Sequence, residues 1–372
     1  MSSEPSPVAP VTVSADRLED LVAAVFEAAG CSSGEARRIG HHLVGANLAG
    51  HDSHGVVRTL RYVERLRDGT QRADQQVSVV SENDVMAVLD GNLGFGQTIG
   101  HQAVAAGIER ALARGVAVIA LRRSGHLGRI GDWAELAAEA GLVSIHFVNV
   151  AGSSLVAPFG ALSRRMGTNP VCIGVPRPGD EPLILDFATS VVAEGKAQVA
   201  LDGGKPLPDD ALIGADGVPT GDPSVLYGPT DPGRAADPRR GPGALRAMGE
   251  HKGSGLALMC ELLAGVLTGS PTAGPDPATS GNGMLSIYLS PDAFAGGGAF
   301  AEGVRSYLDW FEAADPAAGV AAVLSPGRPE QQRRRERLAA GIELPGGTWA
   351  SILAAAASVG IDRPSAERLA GR

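Results

Sequence analysis

Stretches typical of β-strands alternate with stretches typical of α-helices over the middle of this chain, and this alternation constrains the fold most strongly. The strand-like stretches are residues 85–89, 116–121, 142–150, 171–175, 183–186 and 284–289, and the helical ones are residues 97–114, 132–140 and 250–268. Short β-branched apolar runs favour strands, whereas apolar residues three or four positions apart favour helices. The order of the stretches therefore predicts a mixed α/β fold.

Helices are also predicted at both ends of the chain. An amphipathic stripe that ends at Gly30 is formed by Leu18, Leu21, Val22, Val25 and Phe26. Ser32 and Glu35 then match a capping box, which predicts the start of a second helix. The last helix is expected to begin near Thr348.

Two segments are rich in residues that favour turns. Residues 206–242 are expected to form a long surface excursion without a core of its own, and residues 270–282 a second loop. The helix predicted at 250–268 separates them, and its candidates for burial are Leu256, Met259, Leu263 and Val266.

Composition narrows the class of protein. The 372 residues suffice for two domains, and the net charge of -9 argues against a general nucleic-acid-binding surface. Cys31, Cys172 and Cys260 are widely spaced, odd in number and surrounded by apolar residues, as expected of reduced thiols in the cytoplasm. Residues 1–10 resemble no secretory signal, and we expect no membrane span.

The segment that carries the clearest chemistry is His-Asp-Ser-His-Gly-Val-Val-Arg at residues 51–58. A hydroxyl beside an imidazole can relay a proton, and a nearby arginine can hold a carboxylate through paired hydrogen bonds. Ser53, His54 and Arg58 therefore indicate a site for a small 2-oxo or 2-hydroxy acid. Helix-capping histidines are the alternative. A metal site is not expected, because neither a Glu-bearing zinc motif nor a Cys pair accompanies the histidines.

A glycine-rich segment lies between a predicted strand and a predicted helix. It contains Gly91, Gly94, Gly96 and Gly100, and arginines follow the next strand at residues 122–123. This pattern is similar to a Rossmann dinucleotide loop with arginines for a 2′-phosphate. The last glycine falls one position late, however, and a tight turn that packs the helix against the strand explains the glycines equally well.

Several longer motifs run in order along nearly the whole chain. They are GHDSHGVVR at 50–58, GFGQ at 94–97, SGHLGRIGDWAELAAEAGLVSIHF at 124–147, APFG and MGTNP within 157–170, LDFATSVVAEGK at 185–196, and EHKGSGLALMCELL at 250–263. In these motifs the chain resembles the malate/L-lactate dehydrogenase family, whose fold is unrelated to that of Rossmann enzymes. Within that family it is most similar to the hydroxycarboxylate dehydrogenase branch.

The resemblance implies an architecture of two domains. Residues 13–120 and 295–372 would form a helical substrate and dimerisation domain, and residues 121–294 a non-Rossmann NAD(P)-binding domain with a largely antiparallel sheet. Residues 1–12 are expected to be a disordered leader. The resemblance also implies a homodimer, with each active site completed by the partner subunit, and a cofactor bound away from the glycine loop.

The resemblance further implies roles for individual residues. Ser53 and His54 match a proton-relay pair, His126 an acid/base, and Arg58 the contact to the substrate carboxylate. Thr168 and Lys196 match positions near the substrate. The implied cofactor contacts are His126, Leu127, Gly128, Asp186, Phe187, Ala188, His251, Lys252, Pro326 and Gly327. Whether His54 or His126 exchanges the proton, and whether the cofactor is NAD or NADP, stays open.

The expected function is thus NAD(P)-dependent interconversion of a 2-hydroxy acid and its 2-oxo acid by hydride transfer. Reduction of a cyclic imino acid, of the piperideine-2-carboxylate type, is one alternative, and a cofactor-binding scaffold without turnover is another. Two features depart from the family pattern. Arg328 stands after Pro326 and Gly327 where glutamate is usual, and residues 229–248 replace a shorter connection.

Overall fold

The computed structural model describes residues 9–201, 206–229, 237–274 and 281–372. The strands in this part of the chain are β1 (Val11–Val13), β2 (Ser78–Glu82), β3 (Met86–Asp90), β4 (Val116–Ser124), β5 (Val143–Ala151), β6 (Val156–Ala157), β7 (Val171–Val175), β8 (Leu183–Phe187), β9 (Leu212–Ile213), β10 (Pro219–Thr220), β11 (Ala244–Arg246), β12 (Gly281–Leu289) and β13 (Ile342–Leu344). The six predicted strands agree with β3, β4, β5, β7, β8 and β12 to within a few residues. Strand β2 and the short strands β1, β6, β9, β10, β11 and β13 were not predicted.

The α-helices are α1 (Ala15–Ala28), α2 (Ser33–Leu48), α3 (Thr59–Arg67), α4 (Gly96–Arg114), α5 (Gly131–Glu139), α6 (Glu194–Leu201), α7 (Ser224–Tyr227), α8 (His251–Cys260), α9 (Pro291–Phe294), α10 (Gly297–Glu312), α11 (Arg328–Ala340), α12 (Gly346–Ser358) and α13 (Arg363–Leu369). Ser32 caps α2 by accepting a hydrogen bond from the Glu35 amide at 3.3 Å, as the sequence predicted. The chain ends with α13, one helix later than expected.

The main sheet has the strand order β2–β3–β4–β12–β5–β7–β8. Its neighbouring strands are antiparallel except β3 and β4, which are parallel and joined by α4. The fold is therefore mixed α/β with a largely antiparallel sheet. Two smaller sheets accompany it, one with the order β10–β9–β11–β6 and one formed by β1 and β13.

Three clusters of buried apolar side chains hold these layers together. One joins α1, α2, α3, α12 and α13, and a second lies between the main sheet and helices α4 and α5. The third includes Leu212, Leu226, Tyr227 and Leu245. Residues 206–242 were expected to lack a core, and that prediction is wrong, because β9 and α7 bury apolar side chains against β11 and β6.

The helix predicted at 250–268 also differs in which face is buried. Helix α8 continues into a π-helical segment, Glu261–Val266, and it is the small residues Ala257, Cys260 and Ala264 that are buried. Met259 and Val266, predicted to be buried, are 44% and 60% exposed. Small side chains allow the helix backbone to approach the sheet closely, which turns the larger apolar side chains outward.

Long-range pairing decides the structure near the N-terminus. Residues 1–8 of the expected leader lie outside the described residues. Val11 and Thr12, which the sequence also assigned to the leader, belong to β1 and pair with β13.

The three cysteines are buried and unpaired. None of the helices described is long and apolar enough to cross a membrane.

Candidate active site

A deep cleft of about 1410 Å³ is lined by the turns after α2, the loop between β4 and α5, the end of β8, and helix α6. This volume exceeds the roughly 300–1,000 Å³ that is typical of sites for single drug-sized ligands. The cleft therefore has room for more than one small acid.

Two short 3₁₀ turns, Asp52–His54 and Val56–Arg58, place the first functional side chains at the cleft. Asn47 holds these turns in place by accepting a hydrogen bond from the Val56 amide at 2.8 Å. Gly55 packs so tightly on Asn47 that a Cβ would overlap its amide, which explains the glycine at this position.

The side chains of these turns are linked to one another. Ser53 Oγ lies 3.0 Å from Nδ1 of His54, and Arg58 donates from Nε to the Ser53 carbonyl at 2.6 Å. The bond through Nε fixes the stem of Arg58. The terminal nitrogens of its guanidinium stay available for a carboxylate, which arginine binds through two parallel hydrogen bonds.

His126 reaches the same cleft from the loop after β4. The ring centroids of His54 and His126 are 5.5 Å apart, with the rings inclined by only 15°. The loop is anchored on both sides of the histidine. Gly125 donates to the Gly94 carbonyl at 2.9 Å, and Leu127 donates to Oδ1 of Asn282 at 2.8 Å.

Tyr62 and Gln97 determine which nitrogen of His126 carries hydrogen. Gln97 Nε2 lies 3.4 Å from the His126 carbonyl, which can only accept, so the Gln97 amide donates here. The same nitrogen donates to the Tyr62 hydroxyl at 3.3 Å, and this hydroxyl lies 2.6 Å from Nδ1 of His126. Because the Tyr62 hydroxyl accepts from Gln97, it donates its own proton to Nδ1 of His126. In neutral His126 the ring hydrogen is therefore on Nε2.

Burial controls the charge of these groups. It lowers the pKa of His54 to about 3, and the charges of Arg58 and His51 add to the effect. It also lowers the pKa of His126 well below its usual range, again with a contribution from Arg58. Burial raises the pKa of the Tyr62 phenol. At neutral pH the protein therefore presents two neutral imidazoles and a protonated phenol beside a charged arginine.

A network of charged side chains supports the loop that carries His126. Arg129, only 2% exposed, donates to Asp132 at 2.9 Å and to Glu135 at 2.8 Å. Burial alone would raise the pKa of Asp132, but its hydrogen bond to His42, at 2.7 Å, and the charge of Arg129 lower that pKa to about 2. Asp186 accepts from the Gly131 amide at 2.7 Å, which ties β8 to the start of α5.

The glycine-rich segment with Gly94, Gly96 and Gly100 packs against the loop that carries His126 and does not line the cleft. A Cβ at Gly96 would overlap the His126 carbonyl, and one at Gly100 would lie 2.6 Å from the Trp133 ring. The β3–α4–β4 unit predicted from sequence is present, but its glycines bring α4 close to the loop that carries His126.

The cleft brings together most of the predicted site residues, namely Ser53, His54, Arg58, His126, Gly128, Thr168, Asp186, Phe187, Ala188 and Lys196. Leu127 is buried behind the loop, where its carbonyl accepts from the Trp133 indole at 3.1 Å.

Four predicted cofactor contacts lie outside the lining of this cleft. His251 lies on a second groove, of about 540 Å³, and Lys252 is exposed in the first turn of α8. Pro326 and Gly327 precede α11, and Gly327 packs on the backbone of Ile184. Helix α11 reaches the cleft through other residues, Pro329, Glu330 and Arg333.

Sequence reasoning missed several residues of the cleft. Tyr62, Arg61 and Arg65 lie in or beside the motif around Arg58, and their helical spacing from Arg58 was the signal that could have identified them. Gln97 ends the GFGQ motif, but no local pattern connects it with Tyr62.

In the described part of the chain, no group of three or more His, Cys, Asp or Glu side chains is arranged to hold a metal ion.

Comparison with known proteins agrees with this architecture. The model of the malate/L-lactate dehydrogenase family matches residues 13–353. Hydroxycarboxylate dehydrogenase B of Escherichia coli O157:H7 is 40% identical over 353 residues, which cover 93% of this chain and 94% of the relative. L-lactate dehydrogenase of Cupriavidus necator is 37% identical over 303 residues, which cover 80% and 84% of the two chains.

A solved structure from E. coli, described as a malate/lactate dehydrogenase, has 38% sequence identity and a TM-score of 0.88. The alignment covers 97% of this chain and 99% of that one. The fold, the order of the motifs and the matched length agree, and the chain belongs to the malate/L-lactate dehydrogenase family.

Proposed function

We propose that this protein is an NAD(P)-dependent oxidoreductase that interconverts a 2-hydroxy acid and its 2-oxo acid. The observation that carries the proposal is the meeting of His54, His126 and Arg58 in one cleft. Transfer of a hydride from C2 requires a base for the hydroxyl proton and a clamp for the neighbouring carboxylate. Two neutral imidazoles and a guanidinium with free terminal nitrogens supply both.

In this mechanism Arg58 binds the substrate carboxylate, and His126 forms a hydrogen bond with the oxygen on C2. In the Nε2–H form, His126 donates a hydrogen bond that polarises the carbonyl of a 2-oxo acid. During oxidation a neutral imidazole takes the hydroxyl proton on a ring nitrogen that carries no hydrogen, and during reduction the imidazolium returns that proton. For His126 this requires the ring hydrogen to lie on Nδ1, where the Tyr62 hydroxyl then accepts it, so that Nε2 is open to the substrate proton. His54, linked to Ser53, is the other candidate for this transfer. The bound carboxylate offsets the charge of Arg58, so we expect a proton to enter with the substrate.

A nicotinamide cofactor would supply or accept the hydride. The volume of the cleft, about 1410 Å³, leaves room for a group of this kind beside a small acid, and Asp186, Phe187 and Ala188 are among its lining residues. We propose that NAD or NADP occupies this part of a non-Rossmann domain formed by residues 121–294, and that residues 13–120 and 295–372 form the substrate and dimerisation domain.

The proposed cofactor path includes the first turn of α8, where the helix dipole favours phosphate and Lys252 is exposed. Lys252→Ala should weaken binding of NADH or NADPH by about 1–3 kcal/mol, the scale of a lost hydrogen bond to a charged group. Calorimetric titration measures this change, with Arg363→Ala on the distant helix α13 as the matched control. Unchanged affinity in Lys252→Ala would remove α8 from the cofactor site.

We further propose a cytoplasmic homodimer in which the partner subunit completes the active site. Helix α10 supports a dimer, because Tyr307 and Trp310 on it are 61% and 71% exposed. Large exposed apolar patches are characteristic of interaction surfaces. The buried, unpaired cysteines fit a reducing compartment. Light scattering of the purified chain tests the dimer directly.

A spectrophotometric screen tests the proposed reaction. It follows oxidation of NADH and of NADPH in the presence of a panel of 2-oxo acids and cyclic imines. We expect turnover with 2-oxo acids, and a loss of roughly 10²- to 10⁴-fold in His54→Ala or His126→Ala while cofactor still binds. Turnover with imines alone would favour the imino acid reductase. Cofactor binding without any turnover would favour the scaffold.

A further inference from the structure

A row of arginines runs along the wall of the cleft beside the proposed carboxylate clamp. Arg58 immediately precedes α3, and Arg61 and Arg65 follow it at intervals of three and four residues. Residues at these intervals share one face of a helix, with Cβ atoms about 5–6 Å apart between neighbours. All three arginines are among the residues that line the cleft with Tyr62 and His126, and Arg61 is the most exposed of them.

No acidic side chain among the described residues forms an ion pair with this row, although the charge of Asp68 partly offsets that of Arg65. Arg58 donates only to the Ser53 carbonyl, and the side chains of Arg61 and Arg65 take part in no hydrogen bond or ion pair within those residues. Other arginines of the protein are paired, such as Arg129 with Asp132 and Arg337 with Asp52. The three arginines of the row differ from these in having no acidic partner within ion-pair distance among the described residues.

The row carries an electrostatic cost in the free protein. Burial lowers the pKa of Arg65, and the charges of Arg61 and Arg58 lower it further. Like charges one helical turn apart repel each other, and a bound anion would relieve this repulsion. Arg58 already serves the carboxylate next to C2, so Arg61 and Arg65 are left for a second negative group.

We propose that Arg61 and Arg65 bind a second carboxylate, so that the preferred substrate is a dianionic 2-hydroxy or 2-oxo acid. A separation of one helical turn suits a diacid whose carboxylates are divided by a short carbon chain. A monoacid with an apolar side chain would leave both arginines unpaired. This inference rests on the proposed oxidoreductase function, because it uses Arg58 as the clamp for the reacting end.

Binding measurements test the arginine row without requiring turnover. Glutarate and pentanoate have the same carbon chain and differ in the terminal carboxylate, and calorimetry gives their affinities. We expect the wild type to bind glutarate at least tenfold more tightly than pentanoate. In the double variant Arg61→Gln/Arg65→Gln this preference should fall about 10- to 100-fold, as expected for lost charge-assisted hydrogen bonds.

Arg67→Gln is the matched control. Arg67 lies on the same helix and carries the same charge, but it donates to the Ser358 carbonyl at 2.9 Å and is absent from the cleft lining. It should keep the preference for glutarate. Equal wild-type affinities for the two acids, or a preference that persists in the double variant, would overturn the proposal.

Turnover separates this inference from the function on which it rests. With the same variants, 2-oxoglutarate should lose kcat/KM about 10- to 100-fold, whereas the value for 2-oxopentanoate should change by less than about threefold. Equal losses for both oxo acids would contradict a role in recognising the second carboxylate. A preference for glutarate without turnover of either oxo acid would count against the oxidoreductase function. It would still support binding of a second carboxylate by Arg61 and Arg65.

Discussion

At the scale of single residues, the contact between Tyr62 and His126 defines the chemical form of the site. The Tyr62 hydroxyl lies 2.6 Å from Nδ1 of His126 and receives the Gln97 amide from its other side. Burial keeps Gln97 in this arrangement, since its side chain has no exposure to solvent. Burial keeps the His126 imidazole neutral, and these hydrogen bonds place its hydrogen on Nε2.

We expect Tyr62→Phe to lower turnover by about 10- to 100-fold, because Nδ1 of His126 loses its donor and both tautomers become populated. The cofactor Kd should change little. Steady-state kinetics with the preferred oxo acid, together with a cofactor titration, measure the two effects. Full turnover in Tyr62→Phe would show that the tautomer is not controlled through this hydroxyl.

At the scale of secondary-structure elements, the glycines at the start of α4 position the loop that carries His126. Gly94 accepts the Gly125 amide at 2.9 Å, and Gly96 lies in direct contact with the His126 backbone. The element that resembles a dinucleotide loop in sequence therefore acts as a support for the active-site loop.

Gly96→Ala should lower kcat at least tenfold, because the added methyl group displaces the His126 carbonyl and shifts the ring by a fraction of an ångström or more. The matched control is Gly45→Ala in the interior of α2, where a Cβ would meet no other atom within 4 Å. Gly45→Ala should instead stabilise the protein by about 0.5–1 kcal/mol with unchanged kcat. Kinetics and urea denaturation distinguish the two outcomes, and normal turnover in Gly96→Ala would contradict the supporting role.

At the scale of the whole molecule, folding buries histidines as neutral groups. His146 is fully buried in β5, where its ring is hydrogen-bonded to Ser286 at 2.8 Å and to Ser144 at 3.0 Å. Burial lowers the pKa of His146 to about 3. The unfolded chain therefore binds a proton that the folded chain does not, between the ordinary pKa of about 6.5 and the folded value.

This difference predicts a loss of stability on the acid side of neutrality. The contribution of neutral His146 is complete above about pH 6.5 and is lost as the pH falls toward 3, by about 1.4 kcal/mol for each pH unit. Urea denaturation at about pH 7.5 and pH 5.5 should show a smaller loss in His146→Gln than in the wild type. His41→Gln is the control, because the His41 side chain is 73% exposed. The same pH dependence in wild type and His146→Gln would contradict the assignment.

The sequence alone determined those features that depend on neighbouring residues. Hydrophobic periodicity and the capping pair Ser32 and Glu35 predicted the strands of the main sheet other than β2 and several of the helices, because local geometry and turn chemistry repeat within a few residues. The motif at residues 51–58 identified Ser53, His54 and Arg58 because their spacing is itself the functional unit. The longer motifs identified the family.

The tertiary structure decided what depends on distant contacts. The pairing of β1 with β13 joins segments more than 300 residues apart. The core formed by the described part of residues 206–242 requires β6, which lies earlier in the chain, as well as β11, which follows this segment. Tyr62, Gln97 and His126 come from α3, α4 and the loop after β4, so no local pattern could connect them. Periodicity marks a residue as apolar or polar, but only packing determines which face is covered and which side chains meet.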